Sequence, residues 1–189
     1  AFTDEVPRRY VNSVVDLVAH MHAHIDRTLA LSEYLFEHHA AAFGFDSADR
    51  NLVKDLIHLH DQSKVNSSKL FQQKFYRPQP DSRTIPERLF EVYGRQDLLS
   101  QRNAVVRDLN AIDQRVAQVY FERKGLLGAD GEPNAKARSL LRFEKIVDLV
   151  DRGMDPVARE EFGRPLLRAS AYLPDATDRK LAAKLEDYY

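Results

Sequence analysis

Apolar positions recur along the chain at helical spacing, and no run of β-branched residues alternates as a strand would. The first such pattern opens at Pro7, a residue suited to the first turn of a helix, and reaches Phe43, with Gly44 as its stop. Asp46 or Ser47 then caps a second helix over residues 48–61. A third, over residues 65–76, carries Leu70, Phe71 and Phe75 at helical spacing. The prolines at 78, 80 and 86 mark a loop, and loops of this kind often border sites. Residues 87–124 read as one broken helix or two consecutive ones, ended by the glycine-rich stretch from Lys124 to Pro133. Asn134 caps a helix through Arg152, Asp155-Pro156 opens a short helix ending near Gly163, and a last helix runs from about Thr177 onward. The expectation is an all-α fold of about six to eight helices, with residues 1–189 forming a single compact domain.

Helical phase sorts the seven histidines, all of which fall between residues 20 and 60. At about 100° per residue, Leu17, Met21, His24, Thr28, Leu31 and Leu35 form one stripe on the first helix. His20 lies on its flank and His22 points away. On the second helix Leu52, Val53, Leu56 and Ile57 define the buried arc, with His60 inside it and His58 opposite. His38 and His39 suit a solvated C-terminal turn, where they favour the helix dipole. A lone histidine on an apolar face is commonly a hydrogen-bonded core residue. Two of them on consecutive helices point to a shared partner, because an imidazole buried without one is costly.

Carboxylates supply candidates for that partner. Asp61 follows His60 directly at a helix end, where neighbouring side chains can reach one ion. On the helix that Asn134 opens, Leu140, Phe143, Val147 and Val150 share a face, Asp151 falls on its centre line and Asp148 on its edge. A carboxylate in that position calls for a metal ion or a salt bridge to a core arginine, unless Asp151 lies beyond the buried part of the helix and is simply exposed.

Composition narrows the classes. Hydrophobic residues make up 43% and charged residues 30% of the 189, which is globular and far from the profile of disorder. A formal net charge of -1 gives no global attraction for nucleic acid or an anionic membrane, and no apolar run is long enough to span a bilayer. With no cysteine, thiolate zinc sites, iron–sulfur clusters and a cysteine nucleophile are excluded. The first residues lack the features of a signal peptide, so a cytoplasmic location is the default expectation. Glycine-rich phosphate loops, nucleophile elbows and His-Glu-x-x-His helices are missing.

Three segments together resemble the HD superfamily of metal-dependent phosphohydrolases. The stretch from His24 to Ala30 is similar to its opening motif, Leu56 to Lys64 to its His-Asp motif, and Lys145 to Arg152 to its closing apolar helix ending in Asp. The resemblance covers residues 17–152, a metal-binding core, and leaves 153–189 as a C-terminal helical extension. It implies metal ligands at His24, His60, Asp61 and Asp151, with Asp148 one turn away as the alternative to the last. It also implies catalytic roles for Asp61 and for Lys64, near a substrate phosphate. Ser63 stands where the family usually has glycine. No histidine follows His60, which closes the route to a binuclear centre and favours one ion.

Two imidazoles and two carboxylates suit Mn, Fe, Co, Ni or Zn better than Mg. The expected chemistry is hydrolysis of a small phosphorylated compound or nucleotide by hydroxide on that ion. Asp148 or Glu144 would orient the water, and Lys64, Lys69, Lys74, Arg77 and Arg83 would draw in an anionic substrate or simply form a solvated face. The competing expectations are a catalytically inactive helical domain that binds a ligand or partner, and oxidation chemistry at iron.

Overall fold

In the computed structural model the described residues are 17–75, 96–156, 159, 165 and 167–189. They form α-helices α1 (Leu17–His39), α2 (Arg50–Leu59), α3 (Gln62–Phe75), α4 (Gln96–Arg123), α5 (Ala135–Met154) and α6 (Ala176–Tyr188), with short 3-10 turns and no strand beyond one isolated bridge. The fold is all-α. None of the described helices is long and apolar enough to cross a membrane.

Local chemistry places the ends. After α1 a 3-10 turn, Ala40–Phe43, runs into Gly44 at φ 71°. There the Phe45 and Gly44 N–H groups close back on the Ala40 and Ala41 carbonyls at 3.1 Å each. Gly125 (φ 68°) ends α4 in the same left-handed way, with Leu126 N–H on Phe121 O at 2.8 Å. Asp46 accepts from Ala48 N–H while Asp49 accepts from Asp46 N–H, a reciprocal cap that leads through a 3-10 turn into α2. Asn134 caps α5 by accepting from Ala137 N–H, and Asp175 caps α6 by accepting from Asp178 N–H.

Several expectations shift. The third helix begins at Gln62, three residues early, and Leu70 is 70% exposed rather than on an apolar face. Residues 96–123 form one unbroken helix. The expected start at Pro7, the proline loop and most of the short helix after Asp155 lie outside the described residues.

The described residues fall into two compact units, one within Ala1–Ala23 and Gln62–Ile112, the other within His24–Asp61 and Asp113–Tyr189. In the second, Leu31 and Leu35 of α1, Val53, Leu56 and Ile57 of α2, Phe121 of α4, Phe143 and Val147 of α5, and Leu181 and Leu185 of α6 build one core. Each fully buried aliphatic or aromatic side chain there contributes about 1.5–3 kcal/mol of transfer free energy. That core joins α1, α2 and α5, and the polar cluster described next is carried by α1, α5 and the turn that follows α2.

Candidate metal centre

From His24 onward the stripe on α1 is buried as its phase requires, with His24, Thr28, Leu31 and Leu35 inside, while Met21 is only partly buried and His22 is exposed. On α2 the arc of Val53, Leu56 and Ile57 is buried, His58 is exposed, and the His60 side chain is buried just past the last helical residue. His38 is exposed and stacks on Tyr34. Phase thus brings His24 and His60 together: their Nε2 atoms are 3.2 Å apart.

Two carboxylates complete the cluster. Asp61 Oδ2 lies 3.4 Å from His24 Nε2 and 3.7 Å from His60 Nε2. Asp148 Oδ1 lies 3.3 Å and 3.6 Å from the same two atoms. One donor atom from each of the four residues falls within 4.8 Å of every other. A tetrahedral ion bound at ~2.1 Å separates its ligands by about 3.4 Å, and an octahedral one separates neighbours by about 3.0 Å. The observed spacings sit at that scale, so the four residues could hold a metal ion.

The back of each imidazole is held. His60 Nδ1 donates to the Ile57 carbonyl at 2.5 Å, and His24 Nδ1 donates to Asp151 Oδ2 at 2.6 Å. Both contacts put the hydrogen on Nδ1 and turn Nε2 toward the cluster. This is the arrangement that orients metal-binding histidines.

Asp151 therefore occupies a different place from the one the family resemblance implies. It is fully buried and engages His24 from the ring's far side, while Asp148, the alternative one turn earlier, supplies the converging oxygen. Its other contacts are those of the core-arginine salt bridge. Arg27 Nε reaches Oδ1 at 2.8 Å, Arg27 Nη2 reaches Oδ2 at 3.0 Å, and Tyr189 Oη donates to Oδ1 at 2.9 Å. Arg27 Nη2 also contacts Asp155 at 2.9 Å.

The charges are strongly coupled. Burial opposes a proton on His24, but hydrogen bonds to Asp148, Asp151 and Asp61 outweigh it and raise the imidazole to about 11. His60 is raised against its burial by Asp148 and Asp61. The Asp148 carboxyl is buried, yet Arg152 and the two histidines hold it well below the usual carboxylate range. Protons on the imidazoles thus offset the carboxylates, and those are the positions a cation would take over. Burial, followed by the charge of Asp148, pushes Glu144 up to about 7.

Arg152 spans the carboxylates, with Nε 2.8 Å from Asp148 Oδ1 and Nη2 3.5 Å from Asp61 Oδ2. Neither it nor Arg27, Asp155 and Tyr189 stood out in the sequence. Arg27 follows His24 by three residues and Arg152 follows Asp148 by four, so helical spacing carried a signal for both. Nothing local marks Tyr189. Lys64, Lys69 and Lys74 lie on α3, which begins the Gln62–Ile112 segment of the other unit, and Arg77 and Arg83 fall outside the described residues.

No family model, curated protein or solved structure matches the chain.

Proposed function

We propose that the protein is a metal-dependent phosphohydrolase, acting on a small phosphorylated compound or nucleotide with one transition-metal ion at His24, His60, Asp61 and Asp148. The observation that carries the reading is the convergence of two back-held imidazole nitrogens with two buried carboxylate oxygens. Mixed nitrogen and oxygen donors suit Mn, Fe, Co, Ni or Zn. Such an ion, when bound, supplies Lewis acidity toward a water and a phosphoryl oxygen.

The residues supply the rest. Asp151 and the Ile57 carbonyl hold both rings by Nδ1 with Nε2 turned toward the cluster, and binding an ion there would release the Nε2 protons. Glu144, whose carboxyl is pushed up by burial and by the charge of Asp148, is assigned to orient the water.

The test is purified protein with each of the five metals against phosphomonoesters, phosphodiesters and nucleotides. Phosphate release that Asp61→Ala abolishes is the expected result, with metal lost from His60→Ala. Stoichiometric metal without turnover on any of these substrates would leave a binding domain, and turnover that requires oxygen would point to iron chemistry instead.

A further inference from the structure

We infer that Arg152 is the anion-binding residue of this centre and would grip an oxyanion such as a phosphoryl group beside the four donor residues. The inference rests on the metal-site reading above and adds the residue that selects the ligand's charge.

Four facts support it. The four donor side chains are all largely buried, whereas the Arg152 side chain is 52% exposed, so Arg152 is the residue of the cluster with the largest share of its surface in solvent. A guanidinium has two bidentate edges. Its Nε–Nη2 edge lies against Asp148 Oδ1 and Asp61 Oδ2. The other edge, Nη1 with the second hydrogen of Nη2, points away from those oxygens by the planar geometry of the group, and phosphate oxygens match that fork.

The oxygens that hold Arg152 are also the atoms that converge with the imidazoles. A divalent ion among them would take over their negative charge and weaken both ion pairs to Arg152. Its positive charge would then be left for an incoming anion, so metal binding and anion binding should cooperate. Arg27 is not equivalent: it is committed to Asp151 and Asp155 behind His24.

The experiment loads the full chain with cobalt and titrates inorganic phosphate, following the visible absorption of the ion. Wild type, Arg152→Gln and Arg152→Lys are compared, with cobalt affinity measured separately for each. Wild type should bind phosphate saturably, and Arg152→Gln should bind it about ten- to a hundredfold more weakly, the value of losing a charged hydrogen-bonding pair. Arg152→Lys should recover only part of that, since an ammonium cannot fork. Cobalt affinity should change by less than the phosphate affinity.

Equal phosphate affinity in wild type and Arg152→Gln overturns the inference while leaving the metal site intact. Loss of cobalt from both variants would make Arg152 a positioning residue for Asp148 and Asp61, which also overturns it. A wild-type chain that binds no cobalt overturns both this inference and the site.

Discussion

Asp148 and Asp151 should fail in opposite ways when each is changed to Asn. Asp151 has no exposed surface and takes hydrogen bonds from His24, from two nitrogens of Arg27 and from Tyr189. Asn preserves its shape but turns one acceptor oxygen into an amide NH2, which then faces at least one N–H or O–H donor. Breaking a buried pair in this manner costs about 3–5 kcal/mol. At the 2–4 °C per kcal/mol typical of a chain this size, the metal-free protein should melt roughly 6–20 °C lower. Metal affinity should fall about 10–100-fold, because His24 loses the group that orients it.

Asp148→Asn should behave differently. Its carboxylate pairs with the half-exposed Arg152 and also faces His24 and His60, and the change gives up all three attractions. The change also removes a negative charge from beside Asp61 and Glu144. With that loss partly offset, the metal-free protein should melt closer to wild type than Asp151→Asn does, while saturable metal binding disappears. The assays are thermal unfolding after chelation, and competition for metal against a chromophoric chelator. Wild-type metal affinity in Asp148→Asn, together with metal loss and unchanged melting in Asp151→Asn, would refute the assignment.

Three further changes probe the surrounding structure. Gly153→Ala lies inside α5, where helix propensity alone predicts a gain of about 1 kcal/mol. A Cβ there would stand 2.2 Å from the Leu167 carbonyl oxygen, so a loss of about 1–3 kcal/mol is expected, and a raised melting temperature would contradict it. Tyr189→Phe removes one donor to Asp151 and should cost about 1–2 kcal/mol by denaturant unfolding; an unchanged midpoint would mean that Arg27 alone suffices. The Asp49 carboxyl is held low because Lys136 and the Asp46 N–H outweigh its burial. Its folded pKa lies below the unfolded one, so its contribution is complete above about pH 4 and is lost as pH falls through the folded value. Lys136→Met should flatten that acid limb of the stability curve, and an identical limb in both proteins would exclude the pair as its source.

How far the site was legible in the sequence comes down to what helical phase can resolve. Burial follows from phase, so His24 and His60 separate from five other histidines without knowledge of tertiary structure. Asp148 and Asp151 do not separate, because residues three apart on α5 share a face and both look inward. The deciding variable is which nitrogen of His24 each one meets, and that is set by how α1 lies on α5. With Nε2 facing His60, Asp148 reaches that side of the ring at 3.3 Å and Asp151 reaches Nδ1 at 2.6 Å. The closer and more deeply buried carboxylate is thus the one turned away from the convergent atoms. Depth in the apolar stripe, which favoured Asp151, marks the residue that needs a fixed cation partner, and Arg27 is that partner. The edge position of Asp148 leaves its oxygen between the two imidazoles and Arg152. One helix turn on α5 therefore supplies both a carboxylate that converges with the imidazoles and the support behind one of them, and the pair can be told apart only once the imidazole between them is placed.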